Sequence, residues 1–313
     1  MTFLRNVAHS TVVGLVLLFS FTQHCGAETS ESDSAAALAM RDNEIRIVNA
    51  ILTAFSEIMD AEERTILQEI DVRIPMDYDM TRVVAYRENG RVIEISFGFF
   101  GVLIEQCDDW ILSEYYSPQD PGIYDKYEAY LKYLNDIIDR NERSVGQDPL
   151  TPQPFAEFAG IPAETATEIM SRSDALTYDG SLRMAAVAFV LAHEIGHHVL
   201  GHVDAPPADS AAESRDRETQ ADRYATSLTM RAGIPAFGAL PALGLFAAAE
   251  GEVADPDATH PLAVCRILRA MMYTVDRLAE DEKSVPLFEK APEMLPGGSR
   301  YNTLMTEMDQ HCT

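Results

Sequence analysis

The sequence predicts an α+β fold that is mostly helical and contains one small antiparallel hairpin. Three observations predict it. Several segments repeat apolar residues at helical spacing, two short β-rich runs flank Asn89-Gly90, and apolar residues make up 47% of the 313-residue chain. This apolar content is enough to bury a sizeable core, which excludes a disordered chain and leaves room for one large or two ordinary domains.

The order of the elements follows from the local patterns. Residues 28–40 are rich in Ser, Ala and Glu, and they predict a flexible lead-in to a domain that covers residues 41–313. The β-rich runs on either side of Asn89-Gly90 predict the hairpin. Apolar residues at helical spacing predict a helix-like stretch that ends at Trp110 and helices over residues 42–70, 124–139, 181–202, 212–231 and 261–278.

Two segments interrupt the helical pattern. Residues 145–162 contain four prolines, which predict a loop and leave open a boundary between two lobes. Residues 232–249 carry no charge, but prolines and glycines are spread through them. For this second segment we expect a buried hairpin or a helix started by proline rather than a membrane span.

The charge balance excludes some classes of partner. The chain has 24 Lys and Arg against 50 Asp and Glu, which gives a formal net charge of −26. Nucleic-acid binding and docking on anionic lipid both need a basic surface, so neither is expected. The acidity permits basic partners, although an acidic surface that favours solubility explains it more simply.

The first 27 residues have the features of a secretory signal. Arg5 supplies a positive charge, residues 11–21 form an uncharged apolar run, and Cys25-Gly26-Ala27 places small residues before a cut after Ala27. The run is shorter than the roughly 20 residues that a membrane-spanning helix needs. We therefore expect an exported protein, periplasmic or extracellular, with no integral span after cleavage. An uncleaved anchor and lipidation at Cys25 are the alternatives.

The cysteine count agrees with a folded, exported chain that does not depend on a disulfide framework. Cleavage would leave Cys107, Cys265 and Cys312. An odd number means that at least one of them has no intramolecular partner. We expect one disulfide and one buried thiol, and the sequence leaves the pairing open.

The residues that carry chemistry concentrate in one predicted helix. Four of the eight histidines lie between positions 193 and 202, and His193-Glu194-Ile195-Gly196-His197 matches the pattern H-E-x-x-H. Residues four apart share one face of a helix, so both imidazoles reach one Zn²⁺, while Glu194 lies about 100° round the helix and faces a metal-bound water. Such a cluster is costly to bury in an apolar helix without a ligand. The pattern predicts one zinc ion per chain.

The third zinc ligand is expected from the next predicted helix, because a catalytic zinc takes three protein ligands and keeps one position open for water. Glu218 and Asp222 lie four apart on one face. Ala221 beside Asp222 is small enough for close packing, and Gly196 in the first helix permits close approach of another backbone. We expect Glu218 to be the ligand and Asp222 to accept the ring N–H of a liganding histidine, most directly His193. A solvated acidic face is the alternative interpretation of Glu218.

His193-Glu194-x-x-His197 followed by Glu218-x-x-Ala221-Asp222 resembles the HtpX and CAAX-prenyl-protease type of zinc metallopeptidase, within the gluzincins. The hairpin at Asn89-Gly90, Gly233-Ile234-Pro235, and Thr259-His260-Pro261 with Arg266 are similar to further features of that family. The resemblance covers about residues 81–275. It implies a zincin-like fold with the hairpin beside the active-site helix, and a part in envelope protein quality control with unfolded or misassembled proteins as substrates.

The resemblance also implies roles for two residues near the end of that region. His260 becomes a candidate for hydrogen-bonding the oxyanion of the tetrahedral intermediate, and Arg266 for orienting Glu218 or Asp222 or for stabilising that charge. A residue that merely begins a helix before Pro261 is the alternative interpretation of His260. His198 and His202 are also four apart but have no Glu in the matching position, so we expect them to be structural.

These observations together predict an exported zinc endopeptidase. Zn²⁺ would activate a water, Glu194 would take its proton and pass it to the leaving amine, and the strand near residues 91–97 would bind peptide substrate by β-augmentation. Two alternatives stay open. One is a binding or chaperone-like protein that keeps the zinc fold and cleaves little. The other is a latent enzyme in which His260, or a cysteine such as Cys265, occupies the open zinc position.

Overall fold

The computed structural model describes residues 31–77, 79, 82–143, 150, 152–234, 238–250, 260–280 and 312. The expected signal, residues 1–27, lies outside this part of the chain, as do Pro235 and Thr259. The strands are β1 (Ile70–Arg73), β2 (Val83–Arg87) and β3 (Arg91–Ile95). The helices are α1 (Glu31–Ile58), α2 (Ala61–Glu69), α3 (Phe97–Tyr116), α4 (Ile123–Arg143), α5 (Phe155–Ala159), α6 (Ala163–Met170), α7 (Ser173–Val199), α8 (Ala211–Arg231), α9 (Ala239–Glu250) and α10 (Ala263–Glu280).

These elements confirm the predicted α+β class, and they add a strand to the predicted hairpin. β2 and β3 pair antiparallel with Ala85 opposite Ile93, as the Asn89-Gly90 turn predicts. β1 pairs parallel with β3 on the other side, so the strand order is β1-β3-β2. The sheet is therefore mixed rather than antiparallel. β1 has only four residues and finds its partner 21 positions along the chain, from Ile70 to Arg91, which no local pattern indicates.

Several helix boundaries differ from the predicted ones. α1 begins at Glu31, so it includes most of residues 28–40, where we expected a flexible lead-in. The predicted helix over 42–70 is broken at Asp60, whose carboxylate accepts hydrogen bonds from the backbone N–H groups of Glu62 and Glu63. The Glu63 side chain in turn accepts from the N–H of Asp60, which completes a capping box and starts α2.

α7 begins at Ser173 rather than at residue 181. Asp179-Gly180, which we expected to precede the helix, lies inside it. Arg183 donates a hydrogen bond of 2.9 Å from Nε to the Asp179 carboxylate one turn earlier. Pairs at this spacing favour the helix and offset part of the cost of the glycine.

The core has two hydrophobic clusters within the described residues. The larger one surrounds α7, which packs against α3, α8, α9 and the sheet. The smaller one joins α4, α5 and α6 to Leu112 of α3. It brings together side chains from both sides of residues 145–162, where the sequence left open a boundary between lobes. The long apolar helix α7 is thus covered on several sides, and the side chains of its last turns form the site described below.

Two apolar segments bear on the question of a membrane span. α9 occupies the uncharged region after residue 232, has 12 residues and carries Pro241 in its first turn. That length is well short of the roughly 20 residues that a span needs. Among the described helices, α7 alone is long and apolar enough to qualify, and 56% of its most apolar window is buried inside the protein. A helix at the centre of a folded core meets the same criteria.

Candidate metal centre

The last two turns of α7 carry the two histidines of the H-E-x-x-H pattern on one face. His193 and His197 are one helical turn apart, and their Nε2 atoms lie 3.1 Å from each other. Their side chains are 10% and 14% exposed. Ala188, Leu191 and Ile195 in the same part of the helix are fully buried and fix the orientation of this face.

Glu218 comes from α8 and closes the group. Its Oε2 lies 3.2 Å from His193 Nε2, and its Oε1 lies 3.4 Å from His197 Nε2. One ligand atom from each of the three residues lies within 4.8 Å of the others. Two imidazole nitrogens and one carboxylate oxygen that converge in this way suit a transition-metal ion with one position left open. The structure therefore brings together the three residues that the sequence predicted as ligands, and the group could hold a metal ion.

Close packing of α8 on α7 makes this convergence possible. A Cβ added at Gly196 would lie 3.4 Å from the Ala221 Cα and 3.1 Å from Cδ1 of Tyr224. The absence of a side chain at 196 and the small one at 221 thus let the two backbones approach. This confirms the close approach that both residues suggested in the sequence. Ser210 starts α8 by accepting a hydrogen bond from the N–H of Glu213.

Asp222 and Arg266 form a buried ion pair behind His193. Arg266 donates from Nε and Nη2 to the two Asp222 oxygens, at 2.7 and 2.8 Å. The other contact of Asp222 is with Nδ1 of His193, at 2.9 Å. The structure therefore shows the contact between Asp222 and a ring nitrogen of His193 that the sequence led us to expect. Arg266 Nη2 also lies 3.7 Å from Glu218 Oε2, so Arg266 contacts both carboxylates that it was expected to orient, and its hydrogen bonds go to Asp222.

Electrostatics in the group follow from these contacts. Burial would lower the pKa of His193, but hydrogen bonds with Asp222 and Glu218 raise it to about 9. Burial would raise the pKa of Glu218, yet the bond with His193 and the nearby charges hold it at about 2. The pKa of Asp222 is also held well below its ordinary value, against burial, by Arg266 and His193. The two carboxylates are therefore ionised, which suits a cation between them and the histidines.

Glu194 lies beside the group without belonging to it. Its side chain is buried, the residue being 7% exposed, and the backbone N–H of Ala85 in β2 donates a hydrogen bond to its carboxylate. Burial is the main cause that raises the pKa of Glu194 above its ordinary value. A carboxyl group with a raised pKa next to a metal site is suited to accept and return a proton.

The expected role of residues 91–97 in substrate binding is wrong. β3 is the central strand and is paired on both sides, so it has no free edge for a peptide. Ser96 caps α3 and Phe97 begins that helix, so the strand ends at Ile95. The strand at the edge of the sheet next to the site is β2, whose Ala85 reaches Glu194.

His260 also comes close to the group. Its Nε2 lies 3.7 Å from Glu218 Oε2, and 55% of its side chain is exposed. Cys265, five residues later, forms a disulfide with Cys312, and Cys107 is a buried free thiol. One disulfide and one buried thiol is the expected pattern. A Cys265 thiol that occupies the open metal position is excluded by this disulfide, because the sulfur is already bonded.

Sequence reasoning did not predict the contact between His202 and His197. We expected His198 and His202 to be structural, and His198 is, because its Nε2 lies 3.1 Å from the carbonyl oxygen of Val92 in β3 and it is 1% exposed. The Nδ1 of His202, however, lies 3.1 Å from Nδ1 of His197. The available signal was Gly201, whose φ of +75° ends the helix and turns His202 back.

The structure thus places a buried carboxyl group, Glu194, beside two histidines and a second carboxylate that could hold a metal ion. The family model described as peptidase U49 matches residues 108–284, which is more than half of the chain and includes all three possible metal ligands. The chain belongs to the peptidase U49 family. No curated protein and no solved structure matches it. The match supports a peptidase, which acts on protein or peptide substrates, and it does not extend to the HtpX and CAAX-prenyl-protease type.

Proposed function

We propose that this protein is an exported zinc metalloendopeptidase. The observation that carries the proposal is the convergence of His193, His197 and Glu218, with the buried carboxyl group of Glu194 beside them. Two nitrogen ligands and one oxygen ligand are a donor set of catalytic zinc sites, and the family match supports peptide-bond cleavage.

The residues of the site have the following roles in this proposal. A bound zinc ion would supply a water of lowered pKa and polarise the scissile carbonyl. Glu194 takes a proton on its carboxylate and returns it to the leaving amine, which its raised pKa favours. Asp222 holds the proton of His193 on Nδ1, and Arg266 holds Asp222 in place.

The outer edge of β2 is suited to bind the substrate main chain. At the two ends of β2, backbone hydrogen bonds join Arg82 to Ser96 and Glu88 to Gly90, on the side that faces β3. Along an antiparallel pair, every second residue exchanges backbone hydrogen bonds with the partner strand. The backbone N–H and C=O groups of residues 83, 85 and 87 therefore point away from β3. The Ala85 N–H does so, because it reaches Glu194. A peptide paired with this edge would run past the carboxyl group that handles the proton.

Export and a part in envelope quality control belong to the same proposal. The signal features of residues 1–27 support export, and the Cys265–Cys312 disulfide agrees with an oxidising compartment. The motif resemblance suggests unfolded or misassembled envelope proteins as substrates. A strain without the protein is expected to carry a disturbed envelope folding load, and an unchanged load would contradict this role.

Removal of the metal gives the direct test of the enzyme. The purified protein is expected to contain one zinc per chain and to cleave casein. Chelation is expected to abolish cleavage, and added zinc to restore it, because the three ligands leave the open position on which the chemistry depends. Zinc content is measured by elemental analysis and cleavage by release of peptides. A chain without zinc would overturn the proposal, whereas zinc without cleavage would favour the binding or latent alternatives.

The position of His260 favours one second function, a latent enzyme. Its Nε2 is 3.7 Å from a ligand oxygen, which is close enough for the imidazole to occupy the open metal position. The same position suits hydrogen-bonding of an oxyanion. We expect His260→Ala to distinguish the two: casein cleavage rises if the imidazole blocks the site, and kcat falls about 10²–10³-fold if it stabilises the intermediate. An unchanged rate would contradict both roles.

A further inference from the structure

The two metal-binding histidines are held in different ways. His193 has a carboxylate, Asp222, on its Nδ1. His197 instead contacts a row of three side chains, His202, Gln220 and Asp216. His202 Nδ1 lies 3.1 Å from His197 Nδ1, and His202 Nε2 lies 3.4 Å from Gln220 Oε1. The Gln220 amide then donates from Nε2 to the Asp216 carboxylate at 2.7 Å.

We propose that His202 is a positioning residue for His197, and that Gln220 and Asp216 fix the tautomer of His202. This proposal rests on the proposed function, since it takes His197 to be a metal ligand. Nε2 is the ligand atom of His197, because it faces His193 and Glu218. A neutral imidazole that binds a cation through Nε2 carries its proton on Nδ1.

The donors and acceptors along these side chains match in only one direction. The Nδ1–H of His197 needs an acceptor, so Nδ1 of His202 is unprotonated and His202 carries its proton on Nε2. That N–H donates to the amide oxygen of Gln220. The amide NH₂ of Gln220 donates to Asp216, a carboxylate that only accepts. The carboxylate at one end, which offers only acceptor atoms, and a metal ion bound at the other would thus set every proton between them.

The backbone brings His202 to this position. After α7 ends, Gly201 adopts a φ of +75°, and the N–H of His202 donates to the carbonyl oxygen of His197 at 2.9 Å. The two rings meet edge to face, with centroids 5.1 Å apart. Main chain and side chain of His202 therefore both fold back on the same ligand. His202 lies on the loop between α7 and α8, whereas Gln220 lies on α8, so the contacts also tie the two ligand helices together.

Two variants at one position separate this role from a structural one. His202→Leu removes the acceptor, and we expect zinc affinity to fall about 10–100-fold, which is the usual cost of losing a partner of a metal-binding histidine. His202→Asn places an amide oxygen near the position of Nδ1, and we expect it to keep zinc affinity within a few-fold of the original protein. Zinc affinity of the full chain is measured by competition with a chromophoric chelator. Equal affinity in His202→Leu, or an equal loss in both variants, would overturn the proposal.

A second measurement keeps the proposal separate from the proposed function. Nitrogen-15 NMR of the imidazoles reports which ring nitrogen carries the proton. We expect His197 to be protonated on Nδ1 and His202 on Nε2, and His202→Leu to weaken the signal of the His197 Nδ1–H by exchange with water. A chain that binds no zinc would overturn the proposed function. A proton on Nδ1 of His202 would overturn the present proposal whether or not zinc binds.

Discussion

Glu194→Gln is expected to reduce casein cleavage by about 10²–10⁴-fold while the protein keeps its zinc. The amide has nearly the shape of the carboxyl group but cannot accept a proton. Glu194 does not belong to the group of possible metal ligands, so the substitution removes no ligand. The measurement is kcat/KM for cleavage together with zinc content on the same preparation.

The control for this variant is Glu57→Gln, which makes the same chemical change on the exposed surface of α1. It is expected to leave both cleavage and zinc content unchanged. Loss of zinc from Glu194→Gln would mean that Glu194 is itself a ligand, against the geometry. Full biological activity in Glu194→Gln would favour the binding or chaperone-like alternative.

Arg266→Leu is expected to lower the free energy of unfolding by about 3–5 kcal/mol, the cost of removing one partner from a buried ion pair. The side chains of Arg266 and Asp222 are only 11% and 9% exposed, and the leucine would leave Asp222 without two of its hydrogen bonds. The remaining Asp222 charge would favour protonation of His193, and a protonated imidazole cannot bind zinc. We therefore also expect zinc affinity to fall about 10–100-fold. Urea unfolding and chelator competition measure the two effects.

The double variant Asp222→Leu with Arg266→Leu separates the two effects. Replacing both members of a buried pair by apolar side chains is often neutral. The free energy of unfolding of the metal-free protein is therefore expected to recover, while zinc affinity stays low because His193 has lost the carboxylate on its Nδ1. Recovery of zinc affinity in the double variant would contradict the orienting role of Asp222.

The parts of the site that could be predicted from the sequence depend on spacing within one helix or one turn. His193 and His197 share a helix face because they are four residues apart, and Asn89-Gly90 sets a hairpin whatever lies around it. Gly196 and Ala221 predicted close packing because neither carries a side chain large enough to hold two helices apart. In each case the structure follows from a local rule.

The parts that could not be predicted depend on which distant segments meet. The parallel pairing of β1 turned β3 from an edge strand into a central one, and this moved the expected substrate edge to β2. Asp60 looked like part of one long helix, although its capping box with Glu63 could have been recognised. Gly201 indicates a turn, but nothing in the spacing shows that this turn places His202 between His197 and Gln220.

The ion pair between Asp222 and Arg266 also affects the stage of folding at which the candidate metal centre forms. Arg266 lies 44 residues after Asp222 and 73 after His193, so the contacts that orient His193 close long loops. Such contacts form late, because the entropy of loop closure is lost before the contact gains anything. A chain in which α10 has not yet docked therefore carries no assembled centre. For a protein that is exported, as proposed above, this order of folding would keep the centre unassembled until translocation is complete.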